Sequence, residues 1–459
     1  MKRFLKRGSF FFLLFIILGL AMIIIGLIYI LISYYDRVNF YGNFLSGGTV
    51  IYDVSKRKSD DVGWSIIVDR DGKSYLAGYS GSSDKDYDSF IVKLNQDGKI
   101  DDTFGNNGKI ILSKVLNSKG KDYAESMALD SEQKILITGY FFNGKNFDSY
   151  ILKLDTNGKI DKSFGKRGKL IFNGIATNNP KANLSDISRS IFVDKSQNIY
   201  IAGSAWNRKN YQVFIIKINR DGKVDSSFGK NGIAQFDDIA IKYSDDHISA
   251  VYEKNGKIYI AGWSVSRKNK KTFVIRIDQN GNLDNDFGEQ GKVILDENSY
   301  PNSMVVDENE NIFVVGDIEK GKLDLDAYLI KLNKEGKFDN SFVDNGKILF
   351  DNIAGGSRED SATSLYVDES GKIYITGVSW SGKNYVAYVI KLNSDGNFDK
   401  DFGDNGKLLI DRVLSLGNNS IGNSIFVDKI GRIYIVGSVW NGKDLDAFVV
   451  RLLNNGNPG

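Results

Sequence analysis

Asp101-Asp102-Thr103-Phe104-Gly105-Asn106-Asn107-Gly108 is the stretch whose reading decides the fold. The same kind of turn returns around Phe164, Phe228, Phe287, Phe342 and Phe402, and Phe44 marks an earlier copy, so the chain repeats itself about every sixty residues. A period of that length is too long for a helix pair and suits one small sheet per copy, which points to an array of β-blades. Near-identical modules make a binding platform more readily than a catalytic centre, because an active site needs residues that differ from their surroundings.

Working outward from the turn, each copy holds four short β-rich runs. The first complete set is Ser65-Ile66-Ile67-Val68-Asp69, Ser74-Tyr75-Leu76-Ala77-Gly78, Ser89 to Leu94, and Lys109 to Leu112. Short β-branched and aromatic runs between Gly, Asn and Asp turns are strand signals, and no helical period follows Tyr35. A serine opens the first run in each copy: Ser65, Ser126, Ser190, Ser249, Ser303, Ser364 and Ser424. One four-stranded sheet cannot bury both faces, so neighbours pack face to face and the ring closes. The expected fold is all-β, a seven-bladed β-propeller of four-stranded antiparallel blades. Thr49-Val50-Ile51-Tyr52 is a fourth run without its own blade, and the last copy ends after Ala447 to Leu452. The N-terminal run is therefore expected to complete the last blade. Turns such as Asp368-Glu369-Ser370-Gly371 join the first and second runs, and Trp440-Asn441-Gly442-Lys443 reads as a type I′ hairpin tip between the second and third.

The organisation read from the chain is a basic tail over 1–9, a transmembrane signal-anchor helix over 10–35, a linker over 36–48 and the propeller over 49–459. Phe10 to Ile32 is apolar and, at about 1.5 Å per residue, long enough for a hydrocarbon core of roughly 30 Å. A cleaved signal has a shorter apolar region and a small-residue cleavage site, which is not seen after Ile32. Lys2, Arg3, Lys6 and Arg7 precede the run, so the positive-inside rule puts the N-terminus in the cytoplasm and the repeats outside, with membrane lipid as the first partner. Without those four the chain has 56 basic against 57 acidic residues, out of totals of 60 and 57. A near-neutral body argues against non-specific nucleic-acid binding. The absence of cysteine removes disulfides, thiolate metal sites and Cys nucleophiles.

The string Phe-x-x-Lys-Leu-Asn-x-x-Gly-x-x-Asp-x-x-Phe-Gly-x-x-Gly, standing at Phe90 to Gly108 and as Tyr388 to Gly406, resembles the delta-sixty repeat of bacterial surface proteins. Ser424 to Asp428 followed by Gly431 to Gly437 is similar to seven-bladed propeller repeats. The resemblance covers essentially everything after Phe44 and implies the fold and an extracytoplasmic, cell-surface setting; it brings no catalytic residues. Val343 in place of glycine and Tyr41 in place of aspartate mark two less regular turns. Asp97, Gly98, Ile100 and Asp101 imitate part of a calcium loop, but Lys93 and Phe104 fall where the first and last ligands belong, which rules out an EF-hand. The turn is expected to let Asp101 accept backbone N–H bonds while Phe104 packs between blades.

Two sets of residues are candidates for ligand binding. Asp61, Asp122, Asp186, Asp245 and Asp360 each stand four residues before an opening serine; they either ring the channel mouth or bond the backbone of the connection there. Trp206, Trp380, Trp440 and Phe142 stand at hairpin tips on that same face, beside Lys209, Lys383, Lys443 and Lys145. They form either an aromatic recognition surface or cross-strand pairs covered by the lysine stems. His247, the only histidine, beside Ser244, Asp245 and Asp246, reads as a loop residue rather than part of a triad. No catalytic set, cofactor or metal is expected. The reading is a binding or display module for a glycan or an envelope protein; the alternatives are a cell-surface hydrolase or lyase acting on polysaccharide or peptide, and a structural element of an envelope complex.

Overall fold

The computed structural model describes residues 39–41, 44, 48–54, 59–83, 86–118, 120–177, 179–267, 269–321, 324–411 and 419–459. The chain divides into two units, Met1–Asn39 and Phe40–Gly459, and the second holds the propeller. The expected membrane helix and basic tail lie outside the described residues. Among those that are described, no helix is long and apolar enough to cross a membrane.

Seven antiparallel sheets form the second unit. The first strands of blades 1 to 7 are Asp60–Val68, Asp122–Leu129, Asp186–Val193, Asp245–Lys254, Ser299–Val306, Asp360–Val367 and Ser420–Val427. These strands begin about four residues before the opening serines, earlier than the apolar runs suggest. In blades 1 to 6 the four strands lie in chain order across the sheet. Blade 7 takes its fourth strand from the other end of the chain: Thr49–Asp53 pairs with Leu445–Leu452, in the register Thr49 with Val450 and Tyr52 with Ala447. Asn39–Tyr41, within the expected linker, makes this one sheet five-stranded where four strands are expected. Val50 and Tyr52 are fully buried there.

The core is a set of layers between blades. Tyr75, Ile91 and Phe104 of blade 1 pack against Met127, Ile137 and Leu152 of blade 2, and the arrangement recurs around the ring. Each fully buried side chain of this size stabilises the fold by about 1.5–3 kcal/mol. Phe104 has no exposed surface, and Asp101 Oδ1 accepts the Thr103 N–H at 3.2 Å, as the turn motif predicts. The Phe turn then docks on the next blade, where Gly105 N–H donates to the Asn157 carbonyl at 2.8 Å. Gly158, at φ +81°, is glycine for that reason, since a Cβ there would stand 2.9 Å from the Phe104 ring and 3.0 Å from Gly105 N.

The basic residue that spoiled the calcium-loop reading belongs to the same joint. Lys93 is buried, lies over the Tyr75 and Phe104 rings, pairs with Asp101 at 3.3 Å and donates to the Thr156 carbonyl of blade 2 at 2.8 Å. Lys391 repeats this with Asp399 and Asn454, and Arg451 carries the joint from blade 7 to Gln96 of blade 1. The repeat motif is an inter-blade fastener.

Candidate functional site at the channel

Every first strand carries a β-bulge opposite a glycine of the second strand. In blade 1, Gly63 pairs with Gly78 and Ser65 with Ala77, leaving Trp64 without a partner. A Cβ on Gly78 would stand 1.9 Å from the Val62 carbonyl, so the tight approach at the bulge requires glycine. The same bulge recurs in all seven blades and expels Trp64, Glu125, Arg189, Ser249, Asn302, Thr363 and Asn423. All seven line a central cavity of about 450 Å³. Bulges of this kind re-aim a side chain, and here they aim one per blade at the channel.

The ring is not symmetric. In blades 4 to 7 each bulged side chain donates to the carbonyl just before the next blade's bulge. The bonds are Ser249 to Pro301 at 2.5 Å, Asn302 to Ala362 at 2.9 Å, Thr363 to Gly422 at 2.6 Å and Asn423 to Gly63 at 2.8 Å. Among the described residues, Trp64, Glu125 and Arg189 make no such bond. Arg189 Nη1 stands 3.9 Å from Glu125 Oε2, and Arg189 Nε is buried with no hydrogen-bond partner among the described residues. Trp64 is 39% exposed. Burial pushes the Glu125 carboxyl up, while Arg189, Tyr140 and Trp64 pull it down without reversing the shift.

His247 borders this open arc. It lies within the first strand of blade 4, not in a loop, and is stacked between Tyr211 at 5.3 Å and Trp263 at 5.1 Å. Burial, with the Arg189 charge adding to it and Asp245 opposing, lowers its pKa to about 4, so the ring is neutral at neutral pH. Phe192 and Tyr252 line the same cavity with ring centroids 4.3 Å apart.

Asp61, Asp122, Asp186, Asp245 and Asp360, expected either to ring the channel mouth or to bond the backbone, are not among the residues that line the cavity. Asp61, Asp122, Asp186 and Asp360 are buried. Each accepts backbone N–H bonds that hold connections and neighbouring strands. Asp61 Oδ2 takes Val54 at 2.7 Å, Asp122 Oδ1 takes Ser89 at 2.8 Å, Asp186 takes Gly174 and Ile175, and Asp360 takes Asn352 and Ile353. In blade 4 the equivalent acid is Asp246, not Asp245. The bulge there falls at Ser249 instead of just before an opening serine, and Asp246 accepts Ile239 N–H at 3.3 Å. Asp245, half-buried, instead accepts the Tyr211 N–H at 2.9 Å.

The hairpin aromatics also find partners other than those expected. Trp206 packs on Tyr211 and Trp380 on Tyr385, both at 5.1 Å, Phe142 packs on Phe147 at 5.7 Å, and Trp440 stands opposite Leu445. The cation over Trp380 is Arg358 rather than Lys383. The tip after Trp440 is a four-residue loop, not a type I′ turn: Asn441 Oδ1 accepts the Lys443 N–H at 2.8 Å and Asp444 N–H at 3.2 Å, and only Gly442 has positive φ. Trp440, at 39% exposure, is the most open of the four.

Sequence reasoning passed over Trp64, Glu125 and Arg189. The signal was present as the residue before the opening serine in every blade but the fourth, where the bulge falls on Ser249 itself; that residue varies where its surroundings repeat, next to a second run that always carries glycine.

A family model described as a domain of unknown function (DUF5122) beta-propeller matches residues 70–104, 134–164, 198–228, 253–287 and 369–402. Each match runs from around the turn after a first strand to the Phe motif. No curated protein matches the chain. Among solved structures, an ulvan lyase of polysaccharide lyase family PL25 aligns over 92% of this chain and 97% of its own, with TM-score 0.50 and 11% identity. The polysaccharide lyase Uly1 aligns over 85% and 90% with TM-score 0.48 and 11% identity. Extracellular domains 1-2 of Drosophila Semaphorin 1b align over 91% and 88% with TM-score 0.40 and 10% identity. At such identities the likeness speaks to the fold alone.

Proposed function

We propose that the protein is a binding module, anchored in a membrane by its N-terminal apolar run, that presents the propeller outside the cell and takes a ligand at the open arc of its channel. The observation that carries this reading is the break in the bulge ring. Four bulged side chains are spent on joining blades, whereas Trp64, Glu125 and Arg189 face the cavity without that duty. An aromatic face beside polar groups in a cavity of this size has the character of a small-ligand site, for which about 300–1,000 Å³ is usual. The half-buried tips at Trp206, Trp380, Phe142 and the more open Trp440 supply a rim on which a larger glycan or envelope protein would extend its contact.

Binding is favoured over hydrolysis or elimination because the channel carboxylates are already committed. Glu125 is shared among Arg189, Trp64 and Tyr140, and Asp317 accepts from Asn302, Ser361 and the Ala362 N–H. Acid–base catalysis needs a carboxyl with an open position toward substrate.

The test is a glycan and envelope-fraction binding screen with the full-length protein in nanodiscs, with and without Trp64→Ala. Loss of about 2 kcal/mol in the variant is expected for a central aromatic contact. Release of shortened chains from any glycan in the screen would replace the binding reading with the catalytic one. Placement is tested separately: in spheroplasts, added protease should reach the propeller while the mature chain keeps residues 10–35. A mature chain beginning after Ile32 would identify a cleaved signal instead.

A further inference from the structure

We infer that the open arc of the channel binds the carboxylate of an acidic sugar through the Nε and Nη edge of Arg189. The inference rests on the channel reading above and adds the chemistry of the ligand. Arg189 is thrown into the cavity by the blade 3 bulge, between Ser188 and Ser190, so its backbone position is fixed by the sheet. Among the described residues its Nε–H is buried without a partner, and its one ion pair, to Glu125, is at 3.9 Å. A buried donor left unsatisfied destabilises its surroundings, and a ligand acceptor relieves that cost. A guanidinium edge offering Nε–H and Nη–H in parallel matches a planar carboxylate with two hydrogen bonds, and lysine cannot reproduce that fork.

The walls specify what carries the carboxylate. Trp64 and Trp263 line the cavity and provide aromatic faces for the apolar side of a sugar ring. The hydroxyls of Ser65, Ser126 and Ser303 lie around the same cavity and suit a polyhydroxylated ligand. Ile191, Phe192, Val251 and Met304 add an apolar side to the cavity, so the choice between a sugar and a peptide falls to the titration below. Glu125 is the countercharge the ligand must displace from Arg189, so it opposes binding.

The inference is tested by isothermal titration of the full-length protein in detergent with trigalacturonate, galactotriose and triglutamate. Trigalacturonate is expected to bind at least about tenfold more tightly than galactotriose. Arg189→Gln should abolish that preference, and Arg189→Lys, which keeps the charge, should weaken trigalacturonate binding by about tenfold. Glu125→Gln should strengthen it several-fold, a direction that general damage to the fold does not produce. Equal affinity for the charged and neutral sugars, both lost in Trp64→Ala, would overturn the carboxylate assignment while leaving the channel reading in place. Sugar binding unaffected by Trp64→Ala and Arg189→Gln would overturn both. Tighter binding of triglutamate would overturn the sugar in favour of a peptide. Binding of none of the three would overturn the carboxylate assignment, and the glycan screen would then decide the channel reading by itself.

Discussion

The two arcs of the channel are built from the same bulge and put it to different use. From Ser249 to Asn423 the bulged residue is small or amide-bearing and reaches sideways to the next blade. From Trp64 to Arg189 it is large or charged, and among the described residues it leaves the neighbouring carbonyls alone. Closure of a seven-bladed ring does not require all seven bridges, because the inter-blade layers and the Phe turns already join every pair. A bridge position is therefore free to change in some blades, and the blades where it changed are where the cavity acquires an aromatic face and charge. The difference separates what holds the ring from what the ring presents.

The largest test of that separation acts on closure. Deleting residues 1–53 removes Val50 and Tyr52 from full burial and opens the blade 7 edge, a loss of about 3–6 kcal/mol from those two side chains. A chain beginning at Val54 should melt well below one beginning at Tyr41; equal melting temperatures would mean that the terminal strand does not close the ring.

The next test is pH. Asp61 Oδ2 accepts the Val54 N–H, and burial raises the pKa to about 7 against the opposing pull of Ser80 and Val54. The folded chain keeps a proton that the unfolded chain releases near its ordinary value, so the stabilisation is complete below that value and is lost as pH rises through about 7. The slope from one such group is at most about 1.4 kcal/mol per pH unit. Thermal melts should fall between pH 5 and pH 8, and Asp61→Asn should flatten the decline. Asp161, lowered to about 2 with Ser163 and Lys134 opposing its desolvation, titrates too low to mask the effect.

Within the ring itself, Asn423→Ala should cost about 1–3 kcal/mol, because it removes the bridge to Gly63 and leaves a carbonyl unpaired. Trp64→Ala on the open arc should change the urea midpoint much less while removing ligand affinity. If both variants lower the midpoint equally, the arcs do not differ in the way the bonds indicate. The smallest effect is expected at the rim: Trp206→Ala, Trp380→Ala and Trp440→Ala together should weaken binding of a large partner by about 1 kcal/mol or more at one or more sites while leaving the fold intact. Unchanged binding in the triple variant would return these tryptophans to their cross-strand pairs.

How much of this was legible in the sequence follows from what repeats. Phe104 and its six counterparts, the serine-led inner runs and the spare run at Thr49 to Tyr52 are each repeated or complementary, so period alone gives seven blades and their closure. The role of Lys93 was not legible, because a cation over an aromatic ring is a contact between blades and leaves no periodic mark beyond its own recurrence. The rim hairpins were misread for a related reason. Asn-Gly suits a two-residue tip, but the pairing of Trp440 with Leu445 sets a four-residue loop.

The sequence by itself determined the blade count, the strand polarity and the burial of the Phe turns, since a pattern of apolar runs and glycines copied seven times admits one closed sheet array. Only the tertiary structure decided which residues face the channel. A bulge shifts side-chain direction by one residue, and the shift that makes Asp246, not Asp245, the buried acid of blade 4 is invisible to spacing. Side chains alternate faces along a strand, so a single extra residue exchanges what is buried for what is presented. That is why Asp61 and its counterparts hold the backbone, while Trp64, Glu125 and Arg189 stand in the cavity.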